Sequence, residues 1–222
     1  MRSVTLPLPL RNRLADLILD ALHDDTARRG LHALAAVCAD PRALDPAAPP
    51  PAGFPAELFD RRPDGWRIRA GFAPHAAAFG ERAARAARAL ADRPLHAADP
   101  PLPVALEEAA ALFDAGLYFE VHEVLEPFWM RAEGAEREIL QGLIQVAVGY
   151  QHLANGNLEG ARALLREGAA KLTRDDRRAG SVAGAFAGQV SRGLDEIARL
   201  GPEATARFDW SHVPPFPREI CR

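Results

Sequence analysis

Stretches with apolar residues at helical spacing are separated along the chain by stretches that break the pattern. Leu10, Leu14, Leu17, Ile18, Ala21 and Leu22 recur at three- and four-residue intervals and predict an amphipathic helix over 10–22. A second helix follows directly, with Asp25 or Thr26 as its cap and a stripe of Leu31, Leu34, Ala35 and Cys38 that stops before Pro41. The two make an antiparallel hairpin. The segment 41–55, PRALDPAAPPPAGFP, can continue neither a helix nor a central strand, because each proline fixes φ and lacks an amide donor. Beyond it, Trp66, Ile68 and Ala70 alternate with Arg67 and Arg69, which permits one short extended segment but, with no partner strand in view, no β domain. Residues 75–91 predict an Ala- and Arg-rich helix, and the Pro-rich link at 99–103 places a boundary near residue 100.

The second half reads more clearly. Leu106, Ala109, Ala110, Leu112 and Phe113 form the stripe of a helix that Gly116 ends in the left-handed conformation. Helices are then predicted over 118–131, over 136–154 after a turn at Gly134, over 158–172 after Asn155-Gly156, and from a Ser181 cap to Gly201. The expected fold class is all-α, a multi-helical bundle with an antiparallel central hairpin of 118–131 and 136–154. Residues 1–100 form an N-terminal helical region with its connector at 41–55, and 101–201 the bundle. The tail 202–222, with Phe208, Trp210 and Phe216 among prolines, suits an extended strip laid over an apolar groove of its own domain.

Composition narrows the function classes. With 222 residues, 48% of them hydrophobic, the chain is long enough for one or two cores. A formal charge of -3 lacks the basic footprint of a nucleic-acid binder. No apolar run is long enough to cross a bilayer and MRSVTLPLPLRNRL has no signal-peptide core, so a cytoplasmic protein without a membrane partner is expected. The two cysteines, Cys38 and Cys221, form no CxxC-type pair and are expected to stay reduced. Arginine supplies all but one of the basic residues, the exception being Lys171, a bias that with abundant alanine points to a GC-rich coding genome. GxSxG, GxxxxGK[ST] and GxGxxG are absent, which removes the motifs of serine hydrolases, P-loop NTPases and dinucleotide binders.

Candidate chemistry concentrates on two neighbouring helices. At about 100° per residue, His122, Glu126 and Trp129 fall within an arc of roughly 60°, with Glu120 on the far side and Glu123 between. On the next helix Gln141, Gln145, Val148 and His152 share one line, with Gly142 and Gly149 beside it permitting close backbone approach. If the helices fold back at Glu133-Gly134, Glu126 lies opposite Gln141 and His122 opposite Gln145, so the polar seams meet in apolar surroundings. Left unpaired there, each group would cost about 1–3 kcal/mol, so they should bond one another, water, a ligand or a metal. Two readings stay open. In one, the groups are a satisfied network that fixes helix register. In the other, His122 and Glu126 are ligands of a divalent metal, Glu123 is a third ligand or general base, Gln141 and Gln145 orient substrate or water, Trp129 walls the pocket and His152 approaches from the next helix. The second is not a zinc-protease HExxH, since Glu126 stands where its second histidine would be, nor a di-iron Glu-x-x-His, since residue 119 is Phe. Arg137 is a further candidate, for an anion or a salt bridge with Glu133 or Glu136. His23, His32, His75, His96 and His212 lack ligand spacing.

The stretches LFDAGLYFEVHEVLEPFW and AEREILQGLIQVAVGYQHLANGNLEGARALL resemble the bacterial domain-of-unknown-function 309 family, whose pattern is a small-residue turn, an E-x-H-E-x-x-E-x-x-W helix and a Q-G-x-I-Q helix. The pattern falls on Glu120, His122, Glu123, Glu126, Trp129, Gln141, Gly142 and Gln145. The resemblance runs from about Leu106 to Leu172 and implies a small all-helical domain, usually cytoplasmic, with no established reaction. A looser similarity to tetratricopeptide-like helix pairs rests on Gly116 and Gly156, but two units are fewer than the roughly three that an independent solenoid needs. The expected function is a binding or interaction module with an unknown protein or small-molecule partner. Its alternative is a metal-dependent hydrolase with a divalent ion as cofactor. Helix 75–91 also offers an Ala-rich face to a second copy of the chain.

Overall fold

A computed structural model describes residues 5–174 and 181–219. Cys221, with the last residues of the tail and the first four of the chain, lies outside the described residues. The chain divides into two compact units, one within Val4–Pro100 and one within Pro101–Arg222. Among the described residues the fold is multi-helical and all-α apart from one two-stranded sheet, and no helix is long and apolar enough to cross a membrane.

In the N-terminal unit α1 (Leu8–Asp20) and α2 (Asp25–Ala39) pack as an antiparallel pair. Leu10, Leu14, Leu17 and Ile18 of α1 are buried, as are Leu31 and Leu34 of α2. The cap of α2 is Asp24, one residue before the expected position; its carboxylate accepts from the Ala27 amide at 2.7 Å, and Asp25 falls in the first turn. Arg28 is buried on the same helix and donates to the carbonyls of Ala21 and Arg93 at 3.0 and 2.5 Å. The extended segment at Trp66 does have a partner: β1 (Phe59–Arg62) pairs antiparallel with β2 (Gly65–Ile68), placing Phe59 opposite Ile68 and Arg61 opposite Trp66. FDRR carries no apolar alternation, so what specifies the hairpin is its Pro63-Asp64 turn and the Gly65 backbone at φ 125°. Helix α3 (Ala76–Leu90) closes the unit with Phe79, Ala83, Ala86 and Leu90 inward.

The C-terminal unit begins with α4 (Leu102–Asp114), which starts earlier than its stripe suggests because Pro103 suits the first turn. Its end is a Schellman motif: Gly116 at φ 70° lets the Leu117 amide reach the Leu112 carbonyl and the Gly116 amide that of Phe113, both at 2.8 Å. That turn aims α5 (Tyr118–Arg131) back along α4. Helix α6 (Gly134–Ala154) follows, then α7 (Leu158–Thr173) and α8 (Val182–Leu200), with Ser181 accepting from the Gly184 amide at 3.2 Å. Phe113 is the centre of an aromatic cluster, with ring centroids 5.0 Å from Tyr118, 5.9 Å from Tyr150, 6.0 Å from Phe186 and 4.9 Å from Phe216.

The tail after α8 thus reaches the core of its own unit through Phe208 and Phe216, while Trp210 is half-exposed. A second strap is ionic. Glu196 of α8 accepts from His212 Nδ1 at 2.6 Å, and Asp209 lies 3.7 Å from the other ring nitrogen. The hydrogen bond and charge of Glu196, aided by Asp209, raise the His212 pKa. For a group raised in the folded state, the stabilisation is complete below the ordinary histidine value of about 6.5 and is lost as pH rises through the raised one. An NMR titration should therefore give His212 a midpoint above that ordinary value, returning toward it in Glu196→Gln; equal midpoints in the two proteins would exclude the strap.

Candidate functional site

The site residues lie on α5 and α6. Helix α5 presents Tyr118, Val121 and Leu125 to the core. His122, Glu123 and Glu126 lie off this stripe, with side chains 31%, 34% and 41% exposed. They are not sunk into apolar surroundings as the sequence suggests. Glu120 is the buried one. It sits in the first turn of α5, where the unpaired amides and the positive end of the helix dipole favour a carboxylate.

His122, Glu123 and Glu126 converge, each offering one ligand-type atom, all within 4.8 Å of one another. Within the cluster His122 Nδ1 is 3.0 Å from Glu123 Oε1. A carboxylate oxygen accepts, so the proton of this bond is on Nδ1, and in the neutral ring the lone pair is on Nε2. Nε2 lies 3.8 Å from Glu126 Oε1, too long for a hydrogen bond. Pro127 adds a local oxygen: it has no N–H, so the Glu123 carbonyl lacks the donor that position 127 would otherwise supply. The arrangement is an imidazole nitrogen and a carboxylate facing each other across a short gap, with a second carboxylate holding the ring.

The polar line of α6 does not close onto this cluster. Gln145 turns to α7, donating to Glu167 Oε2 at 2.9 Å. The reason lies in the glycines: α6 approaches α7 so closely at Gly142 that a Cβ there would stand 3.0 Å from the Gly168 carbonyl oxygen, and at Gly149 one would stand 2.7 Å from Leu165 Cγ. The small-residue side of α6, and Gln145 with it, thus belongs to the α6–α7 pair. Gln141 is half-buried on the same helix. His152 lies in the last turn of α6, where Asn157 Nδ2 donates to its Nδ1 at 2.8 Å while Asn157 Oδ1 caps α7 by accepting from the Gly160 amide at 3.0 Å.

Trp129 follows the cluster on α5. Its ring is covered by the Arg137 guanidinium, 4.5 Å from the centroid, and its Nε1 is buried without a hydrogen-bond partner. Arg137 pairs with neither Glu133 nor Glu136. It donates to the carbonyls of Trp129, Met130 and Ala132 at 2.8, 3.3 and 3.3 Å, closing the C-terminal end of α5 as its dipole favours. Sequence reasoning missed this capping role, together with Pro127 and Glu167. The Arg137 signal was its place one turn past the α5–α6 link, and the Glu167 signal was the short Asn155-Gly156 connection that makes α7 the second neighbour of α6.

Residues 106–164 match the family model described as Domain of unknown function (DUF309). The match runs from α4 through α5 and α6 into α7 and contains the whole cluster, in agreement with the resemblance seen in the sequence. No curated protein and no solved structure matches the chain.

Proposed function

We propose that the domain-of-unknown-function segment of this chain is a binding module that takes a divalent cation on α5, with His122 Nε2 and Glu126 as its ligands and Glu123 as the residue that orients the imidazole. The observation that carries the reading is the convergence of the three groups within 4.8 Å on a solvent-reached helix face. Two ligands on a zinc-sized ion, each at about 2.0–2.1 Å, stand roughly 3–4 Å apart. The 3.8 Å between Nε2 and Glu126 Oε1 fits that span. A carboxylate bonded to the other ring nitrogen is the usual support of a metal-bound histidine, since it fixes the tautomer and raises basicity. Partial exposure leaves room for water or for an acidic group of a partner to complete the coordination sphere.

The hydrolase alternative needs Glu123 as a free base, and the bond from Nδ1 engages that carboxylate. A binding role uses all three residues as they stand. Calorimetric titration of the full chain with zinc should give one saturable site that His122→Ala and Glu126→Gln abolish. Glu123→Ala should weaken it by roughly 10–100-fold, the usual cost of losing an outer-shell partner. No saturable heat in the wild type, or binding unchanged in His122→Ala, would remove the cation from this site.

A further inference from the structure

The cation site on α5 is half a coordination sphere. Zinc is held by four ligands in structural sites, and even its open catalytic sites use three protein groups. Here His122 Nε2 and Glu126 supply two, because Glu123 is engaged on the other ring nitrogen. The cluster has no fourth histidine, cysteine or carboxylate among the described residues. Charge is unbalanced as well: a divalent ion with one coordinated carboxylate leaves a positive centre on a part-exposed helix face, and a second carboxylate would neutralise it.

The missing half has the same composition as the half present. His122 and Glu126 lie about one turn, roughly 6 Å, apart along α5. A two-fold axis passing between them at right angles to the helix sets a second α5 antiparallel to the first. It brings His122 of each copy level with Glu126 of the other, a self-complementary contact of the kind that two-fold dimers use. The same axis brings Phe119 level with Trp129 of the second copy, both of them half-buried, and Met130 on this helix is 65% exposed, so apolar groups flank the ligand pair. Without a cation the face opposes itself, since Glu123 and Glu126 of the two copies would meet as like charges. Cation binding and pairing of the copies are therefore coupled.

We infer that the cation is shared between two copies of this chain, held by two imidazoles and two carboxylates on the axis between antiparallel α5 helices, and that it controls their association. This sharing rests on the cation reading of His122 and Glu126, and one experiment tells the two apart. Zinc titration of the full chain, followed by light scattering after size exclusion, should show the 24.0 kDa chain doubling in mass as zinc is added. The change should saturate at one zinc per two chains and reverse with chelator. His122→Ala, on a part-exposed face where the fold is spared, should stay a single chain at every zinc concentration. Glu126→His, which keeps two ligands one turn apart, should still double. One zinc per chain with no change of mass would overturn the sharing and leave the cation reading standing, whereas no bound zinc would overturn both. Doubling that needs no zinc, or that persists in His122→Ala, would place the contact elsewhere and overturn the assignment.

Discussion

Truncating Phe113 to alanine is expected to lower the stability of the C-terminal unit by about 3–5 kcal/mol, the range for removing a buried aromatic ring. The ring is almost wholly buried at the end of α4 and touches the rings of Tyr118 on α5, Tyr150 on α6, Phe186 on α8 and Phe216 in the tail. No neighbour can collapse into the space, because each is held by its own element, so the cavity term adds to the lost transfer energy. The tail should loosen first. Around Phe216 its other ties are the Phe216 amide donating to Asp114 at 3.0 Å and Arg218 reaching Glu107 and Asp114 at 3.1 and 3.2 Å, and the two Arg218 pairs are half-exposed and weak. Urea unfolding followed by near-ultraviolet circular dichroism measures the loss, and the Trp210 indole signal follows the tail. A change below about 1 kcal/mol would mean that the cluster is not a packing centre.

Much of this architecture was legible because the C-terminal half is punctuated. Gly116, Gly134 and Gly156 each take a positive φ where a helix ends or begins, so glycine positions alone set most of the boundaries of α4 to α7. The hairpin of β1 and β2 was not legible, since Asp60, Arg61 and Arg62 show no two-residue alternation and the strand is fixed by its turn. At the candidate site, helical arithmetic brings His122 and Glu126 together, as the structure does at 3.8 Å, but it does not fix which face meets the core, and the apolar surroundings expected for them are not found. Burial follows the Tyr118, Val121 and Leu125 stripe, and His122 and Glu126 stand roughly 70–110° from its centre, at the edge of contact. The expected meeting of polar seams failed for a similar reason. A long helix between two neighbours has two packed sides, and the glycines of α6 assign Gln145 to α7. Hydrophobic period gives a direction around a helix, whereas the identity of the neighbour comes from tertiary packing.

The glycine contact between α6 and α7 leads to the second large effect. A Cβ on Gly142 would meet Leu172 Cγ at 2.9 Å and the Gly168 carbonyl oxygen at 3.0 Å, and one on Gly168 would meet the Gly142 carbonyl oxygen and Val146 Cγ2, each at 2.8 Å. Leu172 can rotate, but the carbonyls are helix backbone and cannot give without moving a whole helix. Alanine at position 142 gains up to about 1 kcal/mol of helix propensity, which offsets part of an overpacking cost of about 1–3 kcal/mol. Gly142→Val keeps little of that gain and brings two more methyl groups, so it is expected to cost about 3 kcal/mol. The pair Gly142→Ala and Gly168→Ala should be less than additive by about 1 kcal/mol, because separating the helices for one methyl opens the space the other needs. Full additivity would show that each site relaxes alone. Zinc titration of Gly142→Ala separates the two halves of the recognisable segment: Gly142 packs on α7, so affinity at the proposed His122 and Glu126 site should be unchanged while stability falls. A parallel loss of both would mean that α5 depends on the α6–α7 contact to hold His122 and Glu126 at their spacing.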